Sequence, residues 1–454
     1  MSRPLREIIP DILKHVRDTE EIRRVAKSLK TIKTGNVSEL VEERIRSTYS
    51  PSAKKHSLDR LTPVNVIAPM VDKLSIIYET PPSRTTPLAS DQELLDDLIE
   101  ELDLDDLMSE ANGIYELQDF VAVEPYFHDR KLKLRVLEPT QFTALSTDIT
   151  NPNEPDILVK FMGECPKIGS IRSKTRLMFI YSTSEFIALD GDGKIRDEYM
   201  VETQGLNPYG VLPVVFIKRE RTQILRDKPN RDLLELGLNV PLLFTDLSYG
   251  IKFSAFSVFT INGAKEEDIA GLSYAPNAIW SFSNEGDDKP VTVNTIKPDI
   301  DIPNTLQYIS ALTRSIFSSR GIKTTVNEEV ELSASGLSKL VSEADVSSAI
   351  SKSKVRFKAA ELSLLWLIRH MQNYGADGGL IDDARKFSES FRPTIEFPKR
   401  EILQTEAERV AAIQAKRDAG LTSPFRALRE VHRDLPESEV EAIEQEINRE
   451  SNDE

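Results

Sequence analysis

The segment 230–320 constrains the fold most, because two helical patterns enclose a short β-rich insert. Apolar residues recur at helical spacing over 230–254 and again over 302–319. Pro241 is expected to kink or interrupt the first helix, since proline lacks the amide donor. If the two helices pack antiparallel, the insert must lie at the far tip of a finger, unlike an ordinary globular domain.

Downstream of this finger we predict a loop and a very long helix. Residues 321–334 are polar and lack periodicity, which favours a loop. An apolar stripe then indicates a helix from about residue 336 to 372, which would exceed about 50 Å in length. A helix of that length is typical of the spine of a large assembly.

The remaining patterns predict an α+β protein. Residues 1–60 and 63–80 have helical patterns, 91–110 predicts an acidic amphipathic helix, and 399–450 predicts a helical tail. Strands are predicted at 120–126, 132–137, 157–162, 177–181, 186–189, 199–202, 212–217, 257–262, 278–282, 291–296 and 394–397. A short helix is predicted at 265–270.

The sequence Asp190-Gly191-Asp192-Gly193 lies between two predicted strands. Asp-Gly pairs favour a tight hairpin turn. The same residues superficially resemble a calcium-binding loop. However, Lys194 stands where a third oxygen ligand is needed and Ile195 where such a loop needs glycine, so we predict the hairpin.

Composition narrows the classes of function. The formal net charge of −16 argues against a protein that wraps DNA tightly, although an acidic wall suits one that lets DNA slide. The lone Cys165 and five scattered histidines provide neither a disulfide nor a zinc site nor a nucleophile–base pair. There is no phosphate-binding loop of an ATPase. Without a signal peptide or an apolar run of about 18 residues, we expect a soluble, cytoplasmically made protein.

Short motifs follow one another in a characteristic order. Residues 207–216 read NPYGVLPVVF, residues 335–340 read SGLSKL, and residues 419–423 read AGLTS before a glutamate-rich end. In these motifs and in the order of its elements, nearly the whole chain resembles the portal, or head–tail connector, proteins of tailed bacteriophages.

The resemblance implies a division of the chain into named parts. Residues 1–229 would form the wing, 256–300 a β-rich clip and 399–454 a C-terminal crown. The stem would comprise residues 230–255 and 301–320, followed by a tunnel loop at 321–335. Residues 336–398 would supply the long wing helix and a return strand.

The resemblance also implies function and partners. Portal subunits form a ring, usually of about twelve copies, at one capsid vertex of the virion, after assembly in the host cytoplasm. Double-stranded DNA passes through the channel without sequence recognition. Terminase and then a head–tail adaptor dock on the clip, and major capsid and scaffold proteins surround the ring. We therefore expect no catalytic residues, cofactor, metal or membrane partner.

Candidate site residues follow from these parts. Lys323, Thr324, Thr325 and Asn327 of the tunnel loop are candidates for weak contacts with the DNA backbone, or the loop is a simple surface connector. Arg314, Ser318, Ser319 and Arg320 of the stem are candidates to line the channel, or the arginines pair with acids of a neighbouring subunit. Trp280 and Phe282 of the clip are candidates for partner contacts, or they pack in the core or between subunits.

Two other functions stay open at the level of sequence. Another head–tail connector or adaptor scaffold protein would have the same layered composition, and a monomer or open oligomer would favour it. A carboxylate-based hydrolase built on the β-rich middle would instead be a compact monomer with a deep acidic pocket. Nothing in the sequence brings two carboxylates together.

Overall fold

A computed structural model describes residues 4–162, 177–220, 230–255, 258–262, 292–296, 301–322 and 343–398, together with isolated positions between Ile413 and Arg426. The chain divides into two compact units, Met1–Pro398 and Lys399–Glu454. In the second unit Ile413 is buried. The first unit mixes helices with antiparallel sheets, which confirms the α+β class.

The N-terminal region is helical, as predicted. The helices are α1 (Leu5–Asp18), α2 (Glu20–Lys33), α3 (Val37–Thr48), α4 (Pro51–Leu58) and α5 (Ile67–Leu74). The predicted helix over 63–80 is confined to α5. It starts late because the Asn65 side chain accepts hydrogen bonds from the backbone N–H groups of Ile67 and Ala68, at 3.2 and 3.0 Å.

The acidic stretch forms two helices, α6 (Ala89–Glu101) and α7 (Leu104–Gln118), so the prediction of one helix over 91–110 is wrong. The break lies at Asp103, whose φ of 47° is left-handed, a conformation that aspartate tolerates better than most residues. The change of direction buries both Leu98 of α6 and Leu104 of α7 in the core.

Two antiparallel sheets follow. Strands β2 (Phe120–His128), β3 (Lys131–Leu137) and β8 (Val215–Lys218) pair in the order β3-β2-β8, and β4 (Phe142–Leu145), β5 (Ile157–Met162), β6 (Leu177–Tyr181) and β7 (Phe186–Leu189) pair in chain order. The prediction missed β4. It was wrong at 199–202, where a 3₁₀ turn (Asp197–Tyr199) and further turns replace a strand.

The Asp190 turn is the predicted hairpin turn, with a bridge between Leu189 and Ile195. Gly193 has φ +81°, which a side chain would strain. The Asp190 carboxylate accepts from the backbone N–H groups of Asp192 and Lys194, at 3.0 and 2.9 Å. The carboxylate also forms an ion pair with Arg196 at 2.8 Å. Its oxygens therefore bind groups of the turn and of the residues that follow it.

The described parts of the segment 230–320 follow the predicted order of helix, paired strands and helix. They are α8 (Arg231–Ala255), β9 (Val258–Asn262), β10 (Thr292–Ile296) and α9 (Ile302–Ser319). Strands β9 and β10 pair antiparallel, with Val258 opposite Ile296, and α8 packs against α9. Pro241 lies inside α8 without dividing it. We call α8 and α9 the helical hairpin, and β9 with β10 its tip. The predictions at 265–270 and 278–282 lie outside the described residues.

The long helix α10 (Glu343–Gly378) extends past the predicted end at residue 372, and the predicted start at 336 lies outside the described residues. Its Phe357 and Leu364 belong to one core with α5, α7, β2 and the hairpin. After α10, β11 (Thr394–Glu396) pairs antiparallel with β1 (Ser83–Thr85), a partner that the sequence did not reveal.

Candidate functional site at the base of the helical hairpin

A buried ionic cluster holds the base of the hairpin. Arg320, just after α9, donates from Nη1 to Asp119, and from Nη2 to the carbonyl oxygen of Leu117 at 3.3 Å. Arg219, just after β8, donates from Nε to the same Asp119 oxygen at 2.5 Å. Its Nη2 reaches Glu116 of α7 at 2.8 Å. Ser353 of α10 donates to the other Glu116 oxygen at 2.7 Å.

We call Glu116, Asp119, Arg219, Arg320 and Ser353 the anchor cluster. Local structure at the end of α7 places its acids. The backbone N–H of Asp119 closes the helix on the carbonyl of Tyr115, at 2.9 Å, and its φ of 68° turns the chain directly into β2. The backbone N–H of Arg219 then bonds to the Asp119 carbonyl at 2.9 Å, beside the β2–β8 ladder.

The cluster is electrostatically balanced, with two guanidinium groups facing two carboxylates. Burial opposes charge on Arg219, but Asp119 and Glu116 outweigh it and raise the pKa of Arg219. Burial lowers the pKa of Arg320, while Asp119 favours its charged form. The Ser353 hydroxyl is held by Glu116, and the cluster joins α7, β8, the hairpin and α10 at one point.

The structure places Arg320, which the sequence analysis assigned to the channel lining, inside the anchor cluster. Only 7% of the residue is exposed, and its guanidinium is bound to Asp119 within the same chain. The sequence analysis also allowed Arg320 to pair with an acid of a neighbouring subunit. Its partner here, Asp119, belongs to the same chain. The sequence concealed this pairing, because Asp119 lies 201 positions away.

The other predicted stem residues lie on or beside the outer face of α9. Ser318 and Ser319 are exposed, and Arg314 is half-buried. The Arg314 Nε is buried and has no hydrogen-bond partner among the described residues. The exposed residues of α9 between its first turn and its end carry no charge, and they are Asn304, Gln307, Tyr308, Ala311, Ser315, Ser318 and Ser319.

The outer face of α8 is acidic by contrast. Asp232, Glu235 and Asp246 lie three and eleven residues apart, which places them on one side of the helix. Glu235 pairs with Arg44 of α3 at 2.9 Å. Tyr49 donates its hydroxyl to both Asp246 oxygens, at 2.8 and 2.7 Å. Burial raises the pKa of Asp246, and the Tyr49 hydrogen bond only partly opposes this.

The remaining predicted site residues lie outside the described residues. These are Lys323, Thr324, Thr325 and Asn327 of the predicted tunnel loop, and Trp280 and Phe282 of the predicted clip. Their roles stay predictions.

Two further buried charge clusters were invisible in the sequence. Glu124 of β2 binds Lys160 of β5 at 2.5 Å and Arg135 of β3 at 2.7 Å, which ties the two sheets together. Burial lowers the pKa of Lys160. Separately, Glu361 of α10 accepts from the Tyr78 hydroxyl at 2.5 Å and from Arg84. No periodicity distinguishes such residues from surface charges, because their partners are distant in the chain.

The described residues offer little for metal or hydrolytic chemistry. Within them no three histidine, cysteine or acidic side chains are grouped to hold a metal ion. A cavity of about 100 Å³ lies beside the start of α1 and is lined by two acids, Asp156 and Glu185. Asp156 accepts from the Thr147 backbone N–H at 2.8 Å, and Glu185 from that of Leu5 at 2.5 Å. Nor does any helix in the described ranges combine the length and apolarity that crossing a bilayer requires.

Comparison with known proteins identifies no family. No family model matches the chain, and no curated protein matches it. Among solved structures, it is similar to a chain from the "Virion of native gene transfer agent (GTA) particle", at 12% identity and a TM-score of 0.39. That similarity covers 84% of this chain and 92% of the other. Neither family nor activity follows from these comparisons.

Proposed function

We propose that this protein is a portal subunit of a tailed bacteriophage or a phage-like particle. Its ring at one capsid vertex forms the channel for DNA packaging and ejection. The observation that carries the proposal is the helical hairpin, which has a two-stranded sheet at its tip and is anchored at its base to α7, β8 and α10. This geometry suits a stem that must transmit force between a docking tip and a rigid body.

The charges of the hairpin support a conduit. A strong set of exposed cations would bind phosphates and stall moving DNA. The exposed face of α9 carries neutral polar side chains from Asn304 to Ser319, and α8 exposes acids. Together with the net charge of −16, these faces therefore add no strong set of exposed cations that would hold DNA in a channel.

The proposal includes partners and location. The tip docks the terminase motor during packaging and a head–tail adaptor afterwards, while the wing meets capsid and scaffold proteins. The protein acts as a non-enzymatic part of the virion and needs no cofactor.

Electron microscopy of the purified protein tests the proposal, with light scattering on the same sample for mass. Rings with a central hole and a mass near about twelve copies of the 51.2 kDa chain are expected. An open oligomer without a hole would favour a head–tail adaptor scaffold. A compact monomer at every concentration would overturn the portal function.

A further inference from the structure

We infer that in the assembled ring α9 of each subunit packs against α8 of the next subunit, and that Arg314 of α9 pairs with Asp246 of the neighbouring α8. This inference rests on the proposed ring and goes beyond it by assigning the stem interface and its central ion pair. The occupant of the exposed hairpin faces is therefore a second copy of this chain.

The outer face of α9 suits a protein neighbour. The helix buries Ile309, Ile316 and Phe317 in the core it shares with α8. Its opposite face is uncharged over about five turns, although 29% of the whole chain is charged. Tyr308 on that side is 56% exposed, as expected of an aromatic residue at an interface.

Arg314 is the only charged residue within α9, and its environment within the chain is incomplete. Its Nε is buried without a hydrogen-bond partner among the described residues. The half-buried guanidinium as a whole has no ion pair among the described residues, and its more exposed end favours a carboxylate of a neighbour, because charge-assisted hydrogen bonds are strong. The outer face of α8 offers carboxylates at Asp232, Glu235 and Asp246. The two faces of the hairpin are thus complementary in charge.

Ring symmetry selects among these acids. Rotation about the ring axis does not change height along it, so with the hairpin parallel to that axis Arg314 meets residues of the neighbouring α8 at its own height. The β9–β10 pairing joins the end of α8 to the start of α9 at the tip. Arg314 lies twelve residues from Ile302, and Asp246 lies nine residues from Ala255. At 1.5 Å per residue the two heights differ by only about 4–5 Å.

The other acids of α8 match less well. Glu235 and Asp232 lie about 12 Å and more from the height of Arg314 by the same rise, and Glu235 already pairs with Arg44. Among the residues that the structure describes, Asp246 is bound only by the neutral Tyr49 hydroxyl, and burial disfavours its charge. A neighbouring guanidinium would remove that penalty.

Cysteine cross-linking tests the contact in the full-length chain. Cys165→Ser supplies the background, and Arg314→Cys and Asp246→Cys are introduced separately. Rings assembled from an equal mixture of the two single variants and treated with a short bis-maleimide cross-linker should give covalent dimers on a denaturing gel, because an arginine–aspartate pair spans more than a disulfide can. Rings of either variant alone should give monomers, because identical positions in neighbouring copies lie apart.

Mixed rings that yield only monomers would overturn the contact and leave the portal function intact. Absence of rings from the unmodified protein would instead overturn the proposed function itself. As a second measurement, Arg314→Gln should raise the subunit dissociation constant of the ring by roughly tenfold, and Arg314→Lys by less. Arg356→Gln, at a half-buried arginine of α10, is the matched control and should leave ring stability unchanged.

Discussion

Arg320 and Asp119, each just beyond the end of a helix, form an ion pair across 201 positions of sequence. The Asp119 carboxylate also binds Arg219, so a single side chain bridges two guanidinium groups, and Glu116 supplies the second negative charge. The base of the hairpin is therefore fixed by an interaction whose removal leaves the buried Arg320 without its carboxylate.

Asp119→Asn should consequently lower the free energy of unfolding by about 3 kcal/mol, because it leaves the buried Arg320 without its carboxylate and the half-buried Arg219 with Glu116 alone. Asparagine tolerates the left-handed φ of 68°, so the change isolates the charge from the backbone. Urea unfolding followed by circular dichroism measures it. Asp97→Asn removes the exposed pair with Arg385 and should cost less than about 1 kcal/mol. Equal effects of the two changes would contradict the role of the anchor cluster.

Asn112→Leu should stabilise the protein by about 1–3 kcal/mol. Asn112 of α7 is fully buried, and neither polar atom of its amide has a partner among the described residues. Leucine has the same branching at Cγ and no polar atoms. As a control, the same change at Asn373 of α10 should destabilise, since Asn373 bonds both the carbonyl and the N–H of Phe387. Thermal unfolding measures both variants. A lower melting temperature for Asn112→Leu than for Asn373→Leu would contradict the prediction.

Asp190→Asn should lower stability at neutral pH, and its effect should fade in acid. Backbone hydrogen bonds, chiefly from Lys194, hold the pKa of Asp190 below its ordinary value of 3.8. The charged form therefore adds stability above that value, and the contribution is lost as pH falls through the lowered pKa. Urea midpoints of both proteins across acidic pH should converge. A difference between the two urea midpoints that stays constant with pH would contradict the prediction. So would an equal effect of Asp192→Asn, at an exposed position of the same turn.

Deleting the insert at 256–300 and joining the helices by a short glycine–serine linker should preserve rings but abolish docking of the terminase motor. The reason is that β9 and β10 pair with each other, whereas α8 and α9 pack in the core. Electron microscopy and co-purification with the terminase measure the two outcomes. Shortening the exposed loop around Ile149 is the control and should leave docking intact. Full docking by the deletion variant would show that the tip is assigned wrongly.

The spacing of apolar residues predicted those helices and strands in which that spacing is regular from end to end. Strands β5, β6 and β7 and helix α9 have the predicted bounds, because the apolar runs of the strands and the helical spacing of α9 continue over their whole length. Prediction failed where a single backbone conformation decided the outcome. Asp103 ends α6 with one left-handed residue, and such a turn has no periodic signature.

The candidate site was predicted only in its location on the chain. The helical hairpin with its β insert followed from spacing and from the order of elements. The pairing of Arg320 with Asp119 did not follow from the sequence. Whether an arginine faces solvent or an acid of the same chain depends on which distant segments meet. Ser318 and Ser319 are exposed as a channel-lining role requires, since they lie opposite the apolar stripe that the pattern already defined.

The sequence by itself determined the α+β class, the helical hairpin, the long helix and the acidic balance, since composition and periodicity are local properties of the chain. Only the tertiary structure decided which charges are buried together, at Glu116, Glu124 and Glu361. Those partners lie far apart in sequence, and burial in a medium of low dielectric constant makes their pairing obligatory. Tertiary structure alone also left the outer face of α9 uncovered, with Arg314 at its edge.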